Sequence, residues 1–193
     1  TGTWAINPAK ALKRQGVEIE VFAPTSWVPR WAARTPGARV YAECPEQTYW
    51  GELLVRYPRS WYYPFFTNGW WSRPHPGGSL QLAWWSVRRA LLRAAESFKP
   101  DVVLAHHSLP NGYLAYRLHR KTGLPYVFVD HSFRDVLDSG RMPARRRYYQ
   151  RVAEEAFAAV AVSQRMADDR QRLFPKAHSV VIHNGADRGS ANM

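Results

Sequence analysis

Short, almost wholly apolar runs alternate with stretches of helical periodicity from Asp101 onward, and no other feature restricts the fold of this chain as much. Residues 101–105, 125–129, 159–162 and 179–182 read as strands, because each is an apolar run of strand length. Residues 111–121, 144–157 and 163–174 read as helices. Gly123 ends the first of them, and the last is capped by Ser163 and stopped by Pro175. Strands with no polar side are covered on both faces, which calls for a mostly parallel sheet with helices on each side. The expected fold class is therefore α/β. No repeat of fixed period accompanies the alternation.

The first half is less regular. Asn7 reads as an N-cap with Pro8 at the first helical position and Gly16 as the stop, followed by a strand over 17–22. Because the chain opens directly on a loop and a helix, a first strand is expected to be missing ahead of them. Residues 24–79 are rich in Pro, Gly and aromatics, with a strand expected at 53–57 and a second at 39–42; residues 43–79 read as an aromatic-rich insertion. A helix over 80–98 carries the stripe Trp84, Val87, Leu91, Ala94 or Ala95, and Phe98, with Arg88, Arg89 and Arg93 directed elsewhere. One domain over 1–187 and a tail over 188–193 are expected.

A hydrophobic share of 46% with 22% charged residues excludes a disordered chain. Lys and Arg number 27 against 15 Asp and Glu, a net charge of +12 that favours an anionic partner without choosing among nucleic acid, phosphorylated substrate and membrane. The single cysteine, Cys44, excludes an internal disulfide and a multi-cysteine zinc site. No apolar run approaches the roughly 18 residues of a membrane span, and no secretory pattern opens the chain. A cytoplasmic location is expected, peripheral at the inner face of the membrane.

In a parallel sheet, ligands bind beyond the carboxyl ends of the strands, where loops and helix N-termini converge. Those ends carry His106, His107 and Ser108; Asp130, His131 and Ser132; Ser163; and His183, Asn184 and Gly185. A polar residue at a strand end is often only a helix cap, which is the plainer reading of Ser163. The recurrence over successive strands, with histidine at three of them, points to a site.

These residues carry a resemblance. Residues 100–107, PDVVLAHH, and 123–131, GLPYVFVDH, resemble paired strands in the N-terminal domain of the retaining glycosyltransferases of family 4, which have the GT-B fold. Residues 159–163, AVAVS, and 180–187, VVIHNGAD, are similar to two further segments of that family, in the same order, and residues 2–22 resemble its opening glycine loop, helix and strand. The resemblance implies a Rossmann-like, mostly parallel sheet, one half of a GT-B enzyme. It places His131 near the transferred sugar as the catalytic residue. It places Gly2 and Thr3, in place of the family's usual glycine pair, with Asn184 and Gly185 on the donor side. Acceptor contacts are expected from His106, His107, Asn111 and Arg134.

The family's donor-binding segments, a glycine-rich loop with Arg and Lys and a spaced pair of glutamates, have no counterpart before Met193. The resemblance therefore implies the acceptor-binding half of a hexosyltransferase, nearly inactive without its C-terminal domain. That enzyme moves a sugar from a nucleotide-sugar to an acceptor hydroxyl, with no cofactor and no metal expected. The acceptor is a sugar or a lipid-linked molecule.

Trp61, Trp70 and Trp71 lie in a run of aromatics interspersed with arginine, which suits the boundary of an anionic membrane. The competing reading packs those rings beneath a long loop. Arg145, Arg146 and Arg147 open a helix where cations meet the positive end of its dipole, so they either bind an anion or form a solvated face. Because neighbours on an extended chain point to opposite sides, one of His106 and His107 is expected to face the site. The alternative function is a basic, aromatic-rich binding module without catalysis; nucleic acid is the less expected partner, because no nucleic-acid motif is present.

Overall fold

The computed structural model describes residues 3–61 and 76–185, and the side chains of all of these except 3–5, 76, 134 and 135. Gly2, Trp70, Trp71 and the 188–193 tail lie outside the described residues, as do the side chains of Thr3 and Arg134. The chain divides into two compact units, one made of Thr1–Asp101 with Arg117–Leu124 and the other of Val102–Tyr116 with Pro125–Met193.

The first unit begins with helix α1, Thr3–Arg14. It runs through Pro8, so Asn7 is not the N-cap that its sequence suggests. Proline there forgoes only the bond to the carbonyl of residue 4, in the first bonded turn. Gly16, at a φ of +85°, ends the helix as expected. Strand β1, Val21–Phe22, pairs in parallel with β4, Leu53–Arg56, which pairs in antiparallel fashion with β3, Gln47–Trp50. Gly51, at a φ of +64°, makes the tight turn between β3 and β4. A separate parallel pair joins β2, Thr25–Ser26, to β5, Arg59–Ser60.

The strand expected at 39–42 is instead part of helix α2, Pro36–Ala42. Thr35 caps it by accepting from the Ala38 N–H at 3.2 Å, and Pro36 fits its first turn. Helix α3, Pro76–Phe98, buries Leu80, Ala83, Trp84 and Val87, which confirms Trp84 as a core residue.

In the second unit the expected alternation is realised. Strands β6, Val103–His106, β7, Tyr126–Asp130, β8, Ala158–Ala161, and β9, Ser179–Val181, pair in parallel in that spatial order. Every residue of β8 is buried, as an apolar run inside a sheet should be. A π turn, Ser108–Gly112, leads from β6 into helix α4, Tyr113–Thr122, whose last residues belong to the first unit. A Cβ at Gly112 would crowd Val152 Cγ1 at 3.0 Å and the His107 carbonyl oxygen at 3.2 Å, so any larger residue there must displace them.

Helix α5, Phe133–Arg141, was not expected from the sequence and precedes α6, Pro143–Glu154. Only Val136 and Leu137 are apolar between Arg134 and Arg141, too few to give a readable stripe. Helix α7, Gln164–Leu173, follows β8 and is capped by Ser163, whose hydroxyl accepts from the Met166 N–H at 3.3 Å.

A histidine cluster at the sheet edge as candidate active site

Parallel pairing brings the carboxyl ends of β6 to β9 to one edge of their sheet. His106 is the last residue of β6 and His131 follows β7, its immediate neighbour. Their rings stack with centroids 5.2 Å apart and 22° between planes, and His106 Nδ1 lies 2.9 Å from His131 Nε2. His107 joins them edge-on, its ring centroid 5.5 Å from that of His131.

Both neighbouring histidines thus approach His131, where strand alternation predicts one. The reason is local. His107 has left the strand, with a φ of 68° and ψ of 139°, so the alternation of sides no longer applies. Such a backbone costs about 1–3 kcal/mol in a non-glycine residue. Hydrogen bonds hold it there, from the His107 N–H to the Val129 carbonyl at 2.8 Å and from the Gly112 N–H to the His107 carbonyl at 2.9 Å. Asn111 adds a third tie, its side-chain amide donating to the His106 carbonyl at 3.0 Å.

Burial, followed by the proximity of His131 and then His107, lowers the pKa of His106 to about 4. His106 is therefore neutral at physiological pH. A neutral His106 ring has one donor and one acceptor nitrogen, so a single proton lies between His106 Nδ1 and His131 Nε2.

Beneath this edge lies a fully buried polar network that the sequence does not reveal. Asp130 and Arg170 are wholly inaccessible and form an ion pair at 3.1 Å. Asp130 Oδ1 accepts from the Ser108 N–H at 2.9 Å, and Oδ2 accepts from the Tyr149 hydroxyl at 2.8 Å. Arg170 Nε donates to the Tyr149 oxygen at 2.9 Å, while its two terminal nitrogens donate to the carbonyls of Ala159 and Val160. Burial first, and then the Asp130 charge, raises the Tyr149 pKa well above its ordinary value, so the phenol keeps the proton that it donates.

Asp130, a strand-end candidate by sequence, is thus committed to internal partners. It ties β7 to the turn after β6, to α6 and to α7. The signal for Arg170 lies in register: it falls one helical turn after Met166 and four residues before Phe174, both buried, on the apolar stripe of α7.

The remaining expected site residues are distributed as follows. Ser163 is the α7 cap described above. His183, beyond β9, bonds through Nδ1 with the Val162 carbonyl at 3.2 Å, and Asn184 and Gly185 are exposed after it. Arg146 lies over the Phe174 ring at 5.9 Å and Arg147 over the Tyr148 ring at 5.3 Å, whereas Arg145 is half-buried. Trp61 is exposed and belongs to the first unit, while these arginines belong to the second. Among the described residues, no group of three or more His, Cys, Asp or Glu side chains is arranged to hold a metal ion, and no helix is long and apolar enough to cross a membrane.

The parallel α/β sheet, with histidines gathered at its carboxyl edge, has the architecture of a Rossmann-like domain. The chain matches the model of Glycosyltransferase Family 4 over residues 1–189 and belongs to that family. Its function is accordingly of the glycosyltransferase type. No curated protein matches the chain.

Proposed function

We propose that the chain forms the acceptor-binding side of a retaining glycosyltransferase, working with a C-terminal donor-binding domain to move a sugar from a nucleotide-sugar to an acceptor hydroxyl. The observation that carries this reading is the contact of His106, His107 and His131 at the carboxyl edge of adjacent parallel strands. In this reaction the bond from the anomeric carbon to the donor diphosphate breaks. The acceptor oxygen bonds to the same face of that carbon, and its proton leaves on the diphosphate.

His131 meets the transferred sugar in this reading. His106 orients the His131 ring without adding a second positive charge, because it stays neutral. His107, Asn111 and Arg134 are assigned to the acceptor side, and Gly2, Thr3, Asn184 and Gly185 to the donor side. The leaving diphosphate is stabilised by positive charge and aimed N–H groups, with no metal or further cofactor invoked. Alone, the chain is expected to be nearly inactive, since closure between the two halves orients the reactants and excludes water.

The test joins this chain to its donor half and compares His131→Ala with the parent. A fall in transfer of at least about 100-fold with an unchanged melting temperature is expected. Unchanged turnover removes His131 from the site.

A further inference from the structure

In the first unit, β2 and β5 run in parallel with Ser26 opposite Ser60, and both serines are buried. The next residue on each side is tryptophan. The Trp27 N–H donates to the Ser60 carbonyl at 2.7 Å, which continues the register, so Trp27 and Trp61 fall on the face opposite the buried serines. They are 54% and 58% exposed. The Trp61 N–H in turn donates to Ser86 Oγ at 3.1 Å, which brings α3 alongside. Trp85, the neighbour of Ser86, is 55% exposed, and the Arg88 guanidinium lies 3.7 Å from the centre of its ring. Leu82, one turn before Trp85, is also exposed, as are Arg89 and Arg93 one and two turns after it.

Two hydrogen bonds, one to a backbone carbonyl and one to the Ser86 hydroxyl, thus gather three exposed indoles and an exposed leucine beside a row of arginines. Along the sequence around them the charge is one-sided, although Arg56 is paired with Glu20. Between Glu52 and Glu96 there is no acidic residue, whereas Arg56, Arg59, Arg73, Arg88, Arg89 and Arg93 all fall in that stretch. A folded chain rarely leaves several large rings together in water unless something covers them. Among the described residues, polar groups suited to a small sugar are scarce here. The Ser86 hydroxyl is occupied by Trp61 and the Ala83 carbonyl, and the Gln81 side-chain oxygen is occupied by Arg117. Indole at the boundary between water and hydrocarbon, with arginine reaching the headgroups, is the chemistry of attachment to an anionic bilayer.

We infer that Trp27, Trp61, Leu82, Trp85, Arg88 and Arg89 form a surface that docks the first unit onto an anionic lipid bilayer. The inference is independent of sugar transfer and is tested without it. The 193-residue chain is sedimented with phosphatidylcholine vesicles that contain or lack phosphatidylglycerol, at low and high salt. Binding to the anionic vesicles is expected, weakened by salt and accompanied by a blue shift of tryptophan emission.

Replacing Trp27, Trp61 and Trp85 together by serine is expected to lower partitioning by at least about tenfold. Trp31→Ser removes an exposed ring that none of these contacts draws in, and is expected to leave partitioning within about twofold of the parent. Should the triple variant melt early, Arg88→Gln with Arg89→Gln carries the test through a reduced dependence on salt. No sedimentation with anionic vesicles, equal loss in the Trp31 variant, or displacement from vesicles by single-stranded DNA would overturn the inference.

Discussion

At the scale of single residues, the pairing of His106 with His131 makes a titration prediction whose sign is fixed. An unfolded histidine takes up its proton near pH 6.5, whereas folded His106 does so only near 4. Between those values the unfolded state holds more protons, so this residue's contribution to stability falls as pH drops from about 6.5 towards 4. Proton-detected titration of the imidazole carbons should find one histidine unprotonated down to that range, and its signal should vanish in His106→Gln. A midpoint near 6.5 for every histidine would remove the neutral partner from the site. The same scale holds Asp130. Changing it to Asn leaves the Arg170 charge buried without its counter-ion, at a cost of about 3–5 kcal/mol. Tyr149→Phe removes only a neutral hydroxyl from the network and should cost about 1–3 kcal/mol. Denaturant titration should rank the two in that order; equal losses would mean that the ion pair contributes nothing beyond its hydrogen bonds.

At the scale of elements, the readable parts of the chain were those where burial on both sides leaves an unbroken apolar run. Strand β8 meets that condition in full and β7 in large part, whereas β6 is an apolar run although Leu104 is exposed; the sequence places all three to within a residue or two. Helix α2 is hidden in the sequence because Arg39, Val40, Tyr41 and Ala42 alternate like a strand, while the cap at Thr35 and the proline behind it carry the true signal. Helix α5 was missed because what it buries includes Ser139, with Gly140 against Leu173, instead of a row of large apolar side chains. The histidine cluster was legible as a set of strand ends. Its support was not, because Asp130, Tyr149 and Arg170 are polar residues on separate elements, and only the packing of α6 and α7 brings them together. The cap of α7 was both legible and testable. Ser163→Ala removes the acceptor for the Met166 N–H and should lower stability by about 1 kcal/mol, while Ser163→Asp should restore it. Denaturation midpoints of the three proteins check this, and an alanine variant as stable as the parent would show that the α7 end is held by other contacts.

At the scale of the whole molecule, the two units differ in how their sheets are secured, and that difference should appear as unequal local stability. In the first unit β1, β2 and β5 are two residues long, so few ladder bonds separate their amides from water. In the second, β7 and β8 are flanked on both sides by parallel partners, and Asp130 and Arg170 clamp them to the surrounding helices and turn. Opening β7 or β8 therefore breaks two ladders and exposes a buried charge pair, whereas opening β2 breaks one short ladder. Native-state amide exchange should find the slowest protons in β7 and β8 and much faster ones at Phe22 and Ser26. The Asp130→Asn substitution should speed exchange throughout β7 and β8 while leaving β3 and β4 nearly unchanged. If it accelerates both sheets equally, the two units open as one cooperative body, and the buried pair governs the stability of the entire chain.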